Sequence, residues 1–153
     1  VPGKLQAEIK QSRPFASVQQ EAVLALLRTA DQVRRRLARR IEPHGVTLQQ
    51  YNVLRILRGA GPEGLPTLAI GERLIEETPG LTRLLDRLER KRLVRRERCR
   101  QDRRRVTCRI TPDGLALLAK LDPDMNRSGA EVLGAATPPD LARLIPVLDR
   151  IRG

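Results

Sequence analysis

At 153 residues, 40% hydrophobic and 31% charged, the sequence fits one modest domain, and its longest apolar run, Ala22 to Leu27, is too short to span a bilayer. Two cysteines are too few for a disulfide scaffold, and no charged stretch leads into an apolar one at the N-terminus, so a cytoplasmic location is expected. The net charge of +12 and pI near 11.3 favour an anionic partner: DNA, RNA or a lipid surface.

Residues 1–16, with Pro2, Gly3 and Pro14, read as an arm. Ser17-x-x-Gln20 is a capping box that opens a helix, in which side chain and backbone satisfy each other's orphan groups. Val23, Leu27, Ala30, Val33, Leu37 and Ile41 then recur at three- and four-residue steps as one apolar stripe. Pro43, His44 and Gly45 end it. Thr47-x-x-Gln50 opens a short helix carrying Tyr51, Val53, Leu54 and Leu57, stopped by Gly59 and Gly61. A further helix is expected over about 67–75. Thr78 as cap and Pro79 at the first helical position start the next, running to about Arg92. The period then changes to two: Val106, Cys108 and Ile110 alternate with Thr107 and Arg109, a half-buried strand whose antiparallel partner is Leu93 to Cys99. Thr111-Pro112 begins a helix to about Leu121, and Thr137-Pro138 another to about Arg152.

Short helices followed by a β-hairpin make a winged helix-turn-helix, so the fold is mainly α with a small hairpin wing and extra helices outside the lobe. The expected division is an arm over 1–16, a first dimerisation helix and turn over 17–46, the lobe over 47–111 and dimerisation helices over 112–153. Charge is concentrated in the lobe: residues 65–111 hold 14 Lys and Arg against 7 Asp and Glu. Phe15 and Tyr51 are the only aromatics. Single-strand binders stack bases on several rings, and membrane-surface helices insert Trp or Phe, so duplex DNA is the expected partner.

On the helix after Thr78, Leu81, Leu84, Leu85 and Leu88 fall on one face and must be buried. The opposite face presents Pro79, Arg83, Asp86 and Arg90, flanked by Gly80, Thr82 and Arg87. Arg83 and Arg87 lie one turn apart, and an arginine fork matches guanine O6 and N7 in a major groove. Gly80 and Thr82 let backbone N–H groups approach phosphate. Around the hairpin tip crowd Arg98, Arg100, Arg103, Arg104 and Arg105, which repel one another until an anion arrives; such a tip suits a narrow minor groove. Asp102 among them is expected to hold one arginine through an ion pair.

These motifs carry a resemblance. Leu81-Thr82-Arg83-Leu84-Leu85-Asp86-Arg87-Leu88-Glu89, then Leu93-Val94-Arg95-Arg96, then Asp102-Arg103-Arg104 and Ile110-Thr111-Pro112-Asp113-Gly114 resemble, in that order, the MarR family of multiple-antibiotic-resistance-type regulators. The resemblance covers residues 65–118 and, more loosely, the whole chain. It implies a homodimer built from the first and last two helices, with Leu144, Leu148 and Ile151 joining the stripe above at the interface. It implies two winged lobes on a pseudo-palindromic operator, with Arg104 reaching the minor groove. It also implies a phenolic or anionic effector between dimer region and lobe, where His44, Tyr51 and Leu54 are candidate pocket residues. The sequence departs from the family at Arg92, where members commonly carry glycine, and at Pro123 and Pro146, which are expected to kink or break their helices.

No HExxH, glycine-rich phosphate loop or zinc spacing is present, so neither enzyme activity nor cofactor nor metal is expected. His44 reads as a turn residue. Cys108 is expected to face inward and Cys99 outward, which disfavours a disulfide; Cys99 beside Arg98 and Arg100 is a candidate for a lowered thiol pKa and hence for redox sensing. The rival readings are a sequence-tolerant architectural DNA binder and a protein-interaction module.

Overall fold

The structure is a computed structural model describing residues 3–153. The arm holds a short helix, α1 (Lys4–Glu8), which residues 1–16 were not expected to contain. Its Leu5 is buried and Glu8 pairs with Arg28 at 3.3 Å, so the segment lies along the next helix, α2 (Val18–Ile41). At α2's start the Ser17 hydroxyl accepts the Gln20 N–H at 3.1 Å. The expected reciprocal half differs, because the Gln20 side chain accepts from Ala16 instead, at 2.7 Å. A single 3-10 turn (Glu42–His44) and Gly45, at φ +82, reverse the chain.

α3 (Leu48–Ala60) has the full Thr47/Gln50 capping box and runs through Gly59 to end at Gly61. A two-residue strand, β1 (Leu65–Pro66), absent from the sequence reading, leads into α4 (Thr67–Arg73). α5 (Leu81–Arg90) starts later than expected. Gly80, not Thr78, is its cap, and the Thr78 hydroxyl instead donates to Glu76 O at 3.2 Å. β2 (Val94–Arg98) and β3 (Val106–Ile110) form the wing, with β1 on the far side of β3. Val94 faces Ile110, Arg98 faces Val106, and Leu65 faces Cys108.

The departure at Arg92 resolves in the backbone. Arg92 takes φ +60, with its N–H on Glu89 O (2.9 Å) and the Leu93 N–H on Leu88 O (3.1 Å). That is a Schellman ending of α5 with arginine where glycine would be unstrained. Two residues later the strand begins. α6 (Pro112–Val132) is capped by Thr111 and starts against that strand: a Cβ on Gly114 would lie 2.5 Å from Leu93 O, so only glycine permits the approach.

α6 continues past the expected end at Leu121, and neither Pro123 nor Pro146, in α7 (Pro138–Arg152), breaks its helix. A proline interrupts the ladder only locally, and α6 is tied on both sides of Pro123. Arg58 bonds Asp122 at 2.8 Å and Arg40 bonds Asp124 at 2.7 Å. The core gathers Ile41 from α2, Val53, Leu54 and Leu57 from α3, Ile70, Leu85, Leu88, Val94, Cys108, and Leu118 and Leu121 from α6. α7 has no buried residue. No helix among the described residues is long and apolar enough to cross a membrane.

Candidate nucleic-acid interface

Leucines orient α5. Leu84, Leu85 and Leu88 are buried, and this leaves Thr82, Arg83, Arg87 and Arg90 exposed on the outer side. Pro79 and Gly80 are also exposed, while Thr78 is half-buried in the turn before the helix. Among the described residues no side chain caps α5, so its first N–H groups are open to an anion.

Asp86 does not belong with the exposed face as expected. It is half-buried and pairs with the Arg96 guanidinium on β2, which also reaches Glu89 Oε1 at 3.1 Å. The Arg96 N–H donates to the other Glu89 oxygen at 2.9 Å. These hydrogen bonds hold the Glu89 carboxyl below its ordinary pKa, and despite its partial burial they raise that of Arg96. Arg96 therefore braces the wing on the recognition-type helix. The sequence reading missed it, although a signal was present. Arg96 shares a face with buried Val94 by the two-residue strand period, and an inward arginine needs carboxylates. Asp86 and Glu89, three residues apart on α5, supply them. A second tie fixes the end of α5: Lys91 Nζ donates to Gly45 O and, at 3.1 Å, to Gln50 Oε1.

At the wing tip Arg98, Arg100, Arg103, Arg104 and Arg105 are all exposed. The ion pair expected of Asp102 is absent among the described residues. Its carboxylate accepts the Arg104 N–H at 3.0 Å and its carbonyl the Arg105 N–H at 2.9 Å. A short carboxylate amid backbone donors makes a local turn more readily than it recruits a long, solvated side chain. Asp102 shapes the tip rather than neutralising it.

Cys108 is buried and Cys99 half-exposed, and both are free thiols. Burial pushes Cys108 up to about 11. Cys99 is held below its ordinary value, chiefly by backbone N–H groups of Asp102 and Gln101. Of the neighbouring arginines only Arg105 contributes, not the expected Arg98 and Arg100.

The apolar stripe of α2 divides into three parts. Val23 and Leu27 are 57% and 63% exposed. Ala30, Val33 and Leu37 line a groove of about 830 Å³ between α2, α3, α6 and the α4–α5 turn. Ile41 is not an interface residue but lies in the lobe core. A 24-residue helix is about 36 Å long and outruns any one environment. On α7, Leu144 and Ile151 are exposed and Leu148 is half-buried. Of the expected pocket residues only Tyr51 lines the groove. Leu54 is enclosed in the core and His44 is exposed in the 3-10 turn. Burial raises the Tyr51 pKa, keeping the hydroxyl protonated.

A family model described as the MarR family matches residues 44–105. Among solved structures, a MarR transcription factor from Planctomyces limnophilus is 37% identical, with 88% of this chain and 98% of that one covered and a TM-score of 0.70. A mutant MarR from E. coli, complexed with operator DNA, is 23% identical over 97% and 99% of the two chains, with a TM-score of 0.76. BpsR from Bordetella bronchiseptica, whose DNA binding is regulated by 6-hydroxynicotinic acid, is 20% identical over 87% and 99%, with a TM-score of 0.78.

Proposed function

The chain belongs to the MarR family of DNA-binding transcription regulators, and from this premise we propose that it is a cytoplasmic homodimeric repressor whose two winged lobes read a pseudo-palindromic operator. The observation that carries this reading is the rigid pairing of exposed arginines on α5 with the arginine-rich wing, joined through Arg96. Arg83 and Arg87 read base edges in the major groove, with Thr78, Pro79, Gly80, Thr82 and Arg90 against the backbone. Arg104 enters the minor groove while Arg98, Arg100, Arg103 and Arg105 neutralise phosphates. Occupying an operator that overlaps a promoter excludes polymerase.

Dimerisation is supported by apolar side chains left exposed among the described residues: Val23 and Leu27 on α2, and Leu144, Ile145 and Ile151 on α7. An effector is supported by the groove beside Tyr51, whose walls are largely apolar with a few polar groups, as small-molecule sites are. Sedimentation at micromolar concentration should give a dimer, and Leu27→Glu with Ile145→Glu should give monomers that bind the operator far more weakly. A compact wild-type monomer with full operator affinity would refute the proposal.

A further inference from the structure

Among the described residues of the lobe, Arg92 alone combines a side chain with a left-handed backbone, at φ +60. There a Cβ crowds the following carbonyl, and glycine would make the same turn without strain. The pose is imposed from outside the side chain. The Arg92 N–H donates to Glu89 O at 2.9 Å, and its carbonyl accepts the Thr111 hydroxyl at 2.7 Å. Among the described residues the exposed guanidinium has neither a hydrogen bond nor a carboxylate partner, so no polar contact within the fold offsets the strain. A cation here gains from the end of the helix dipole, but Arg87 and Arg90 already occupy the last turn of α5. Strained residues of this kind cluster where function uses them.

The surroundings say which function. Lys91, one position earlier, turns inward to Gly45 O and Gln50 Oε1, while Arg90 and Arg92 on either side of it stay exposed. Exposed cations thus continue from Arg83, Arg87 and Arg90 past the end of α5. In helix-turn-helix docking the N-terminal residues of the recognition helix meet base edges. Arg92 lies about 13 Å further along the axis than Arg83, and the major groove is about 12 Å wide. A helix end that far on has crossed the groove floor and stands at its wall, where it meets sugar and phosphate. The planar, permanently charged guanidinium fits a phosphate in two-pronged fashion.

Resting on the DNA-reading proposal above, we propose that Arg92 is a phosphate clamp: in each lobe it holds a backbone phosphate at the rim of the major groove. The left-handed backbone is the strain that places it there. The contact fixes register on the duplex and carries no sequence information.

The test compares Arg92→Gly, Arg92→Lys and Arg150→Gln with the wild-type chain. Anisotropy titrations use a random duplex and the operator selected from a random pool, across about 50 to 200 mM salt. Arg92→Gly should raise the folded-to-unfolded ratio about two- to fivefold in urea, yet bind both duplexes more weakly. Its log–log salt slope should be flatter by about two per dimer, so its deficit should shrink about tenfold across that range. Arg92→Lys keeps the cation and should keep the slope. Arg150→Gln removes an exposed cation from α7 and should leave the slope unchanged. A wild-type slope in Arg92→Gly, or equal flattening by Arg92→Lys or Arg150→Gln, overturns the clamp. So does a glycine variant less stable than the wild type, because the side chain would then serve the fold. A loss confined to the operator would make Arg92 a base contact and overturn the clamp too. If the wild-type chain binds both duplexes equally, the operator reading falls, while the slope difference still decides Arg92. A chain that binds neither duplex takes both down.

Discussion

Replacing Arg96 with alanine separates a brace from a DNA contact. Arg96 is 21% exposed in its side chain and holds Asp86 and Glu89 together, each about two-fifths exposed. A fully exposed pair contributes about 0.2–1 kcal/mol, whereas hydrogen bonds to charged groups with less water around them contribute about 1.5–3. Discounted for the exposure of the carboxylates, the network should contribute about 1–2 kcal/mol to stability. In a chain of this length that lowers Tm by about 3–6 °C. The loss should depend on pH with a definite sign. Glu89 is depressed in the folded state below its ordinary 4.5, chiefly by the Arg96 hydrogen bond. Its stabilising contribution is therefore present above that value and is lost as pH falls through the folded pKa. The gap between wild type and Arg96→Ala should be full at pH 7 and should narrow below about pH 4.5. Operator affinity should fall about three- to tenfold as the wing loosens, with the salt slope unchanged. Thermal melts from pH 3 to 7 and anisotropy titrations across salt measure both. An unchanged Tm with a slope flattened by about two per dimer would make Arg96 a phosphate contact and refute the reasoning.

Three further outcomes follow from the same geometry. Arg92→Gly should stabilise the fold by about 0.5–1 kcal/mol in urea unfolding, since relief of the left-handed strain exceeds the entropy glycine adds to the unfolded chain; destabilisation would mean that the Arg92 side chain contributes more than its backbone costs. Gly114→Ala should cost about 1–3 kcal/mol by the same assay, because the added methyl meets Leu93 O, and a gain from helix propensity would contradict that. Asp102→Ala should weaken operator binding despite removing a negative charge, whereas Asp102→Asn, which keeps an acceptor for the Arg104 N–H, should not; tighter binding by the alanine variant would make repulsion dominant at the tip.

Much of this was legible in the sequence because it is local. The Leu81, Leu84, Leu85 and Leu88 spacing orients α5, and the alternation of Val106, Cys108 and Ile110 sets the inward face of β3. Caps at Thr47, Thr111 and Thr137 were readable from a hydroxyl followed by a helix-starting pattern. The same Thr-Pro signal failed at Thr78, where tertiary placement turns the hydroxyl back on Glu76 and leaves Gly80 as the cap. What was not legible depends on pairing distant residues. β1 exists only because Leu65 and Pro66 meet β3, and α1 only because Leu5 and Glu8 find a surface on the rest of the chain. The groove needed the crossing of α2, α3 and α6, so Tyr51 was foreseeable as a wall residue but Val33 and Met125 were not.

The central claim, a dimer that reads sequence through two α5 helices, is tested most directly by selecting binding sites from a random duplex pool with the wild-type chain. The account predicts enrichment of a pseudo-palindrome whose half-sites lie about one helical turn apart. It also predicts that Arg83→Ala or Arg87→Ala costs about 1–3 kcal/mol on that site and less on random DNA. A pool that retains random sequence after repeated rounds, with both variants losing affinity equally on every duplex, would contradict it and leave a sequence-tolerant architectural binder.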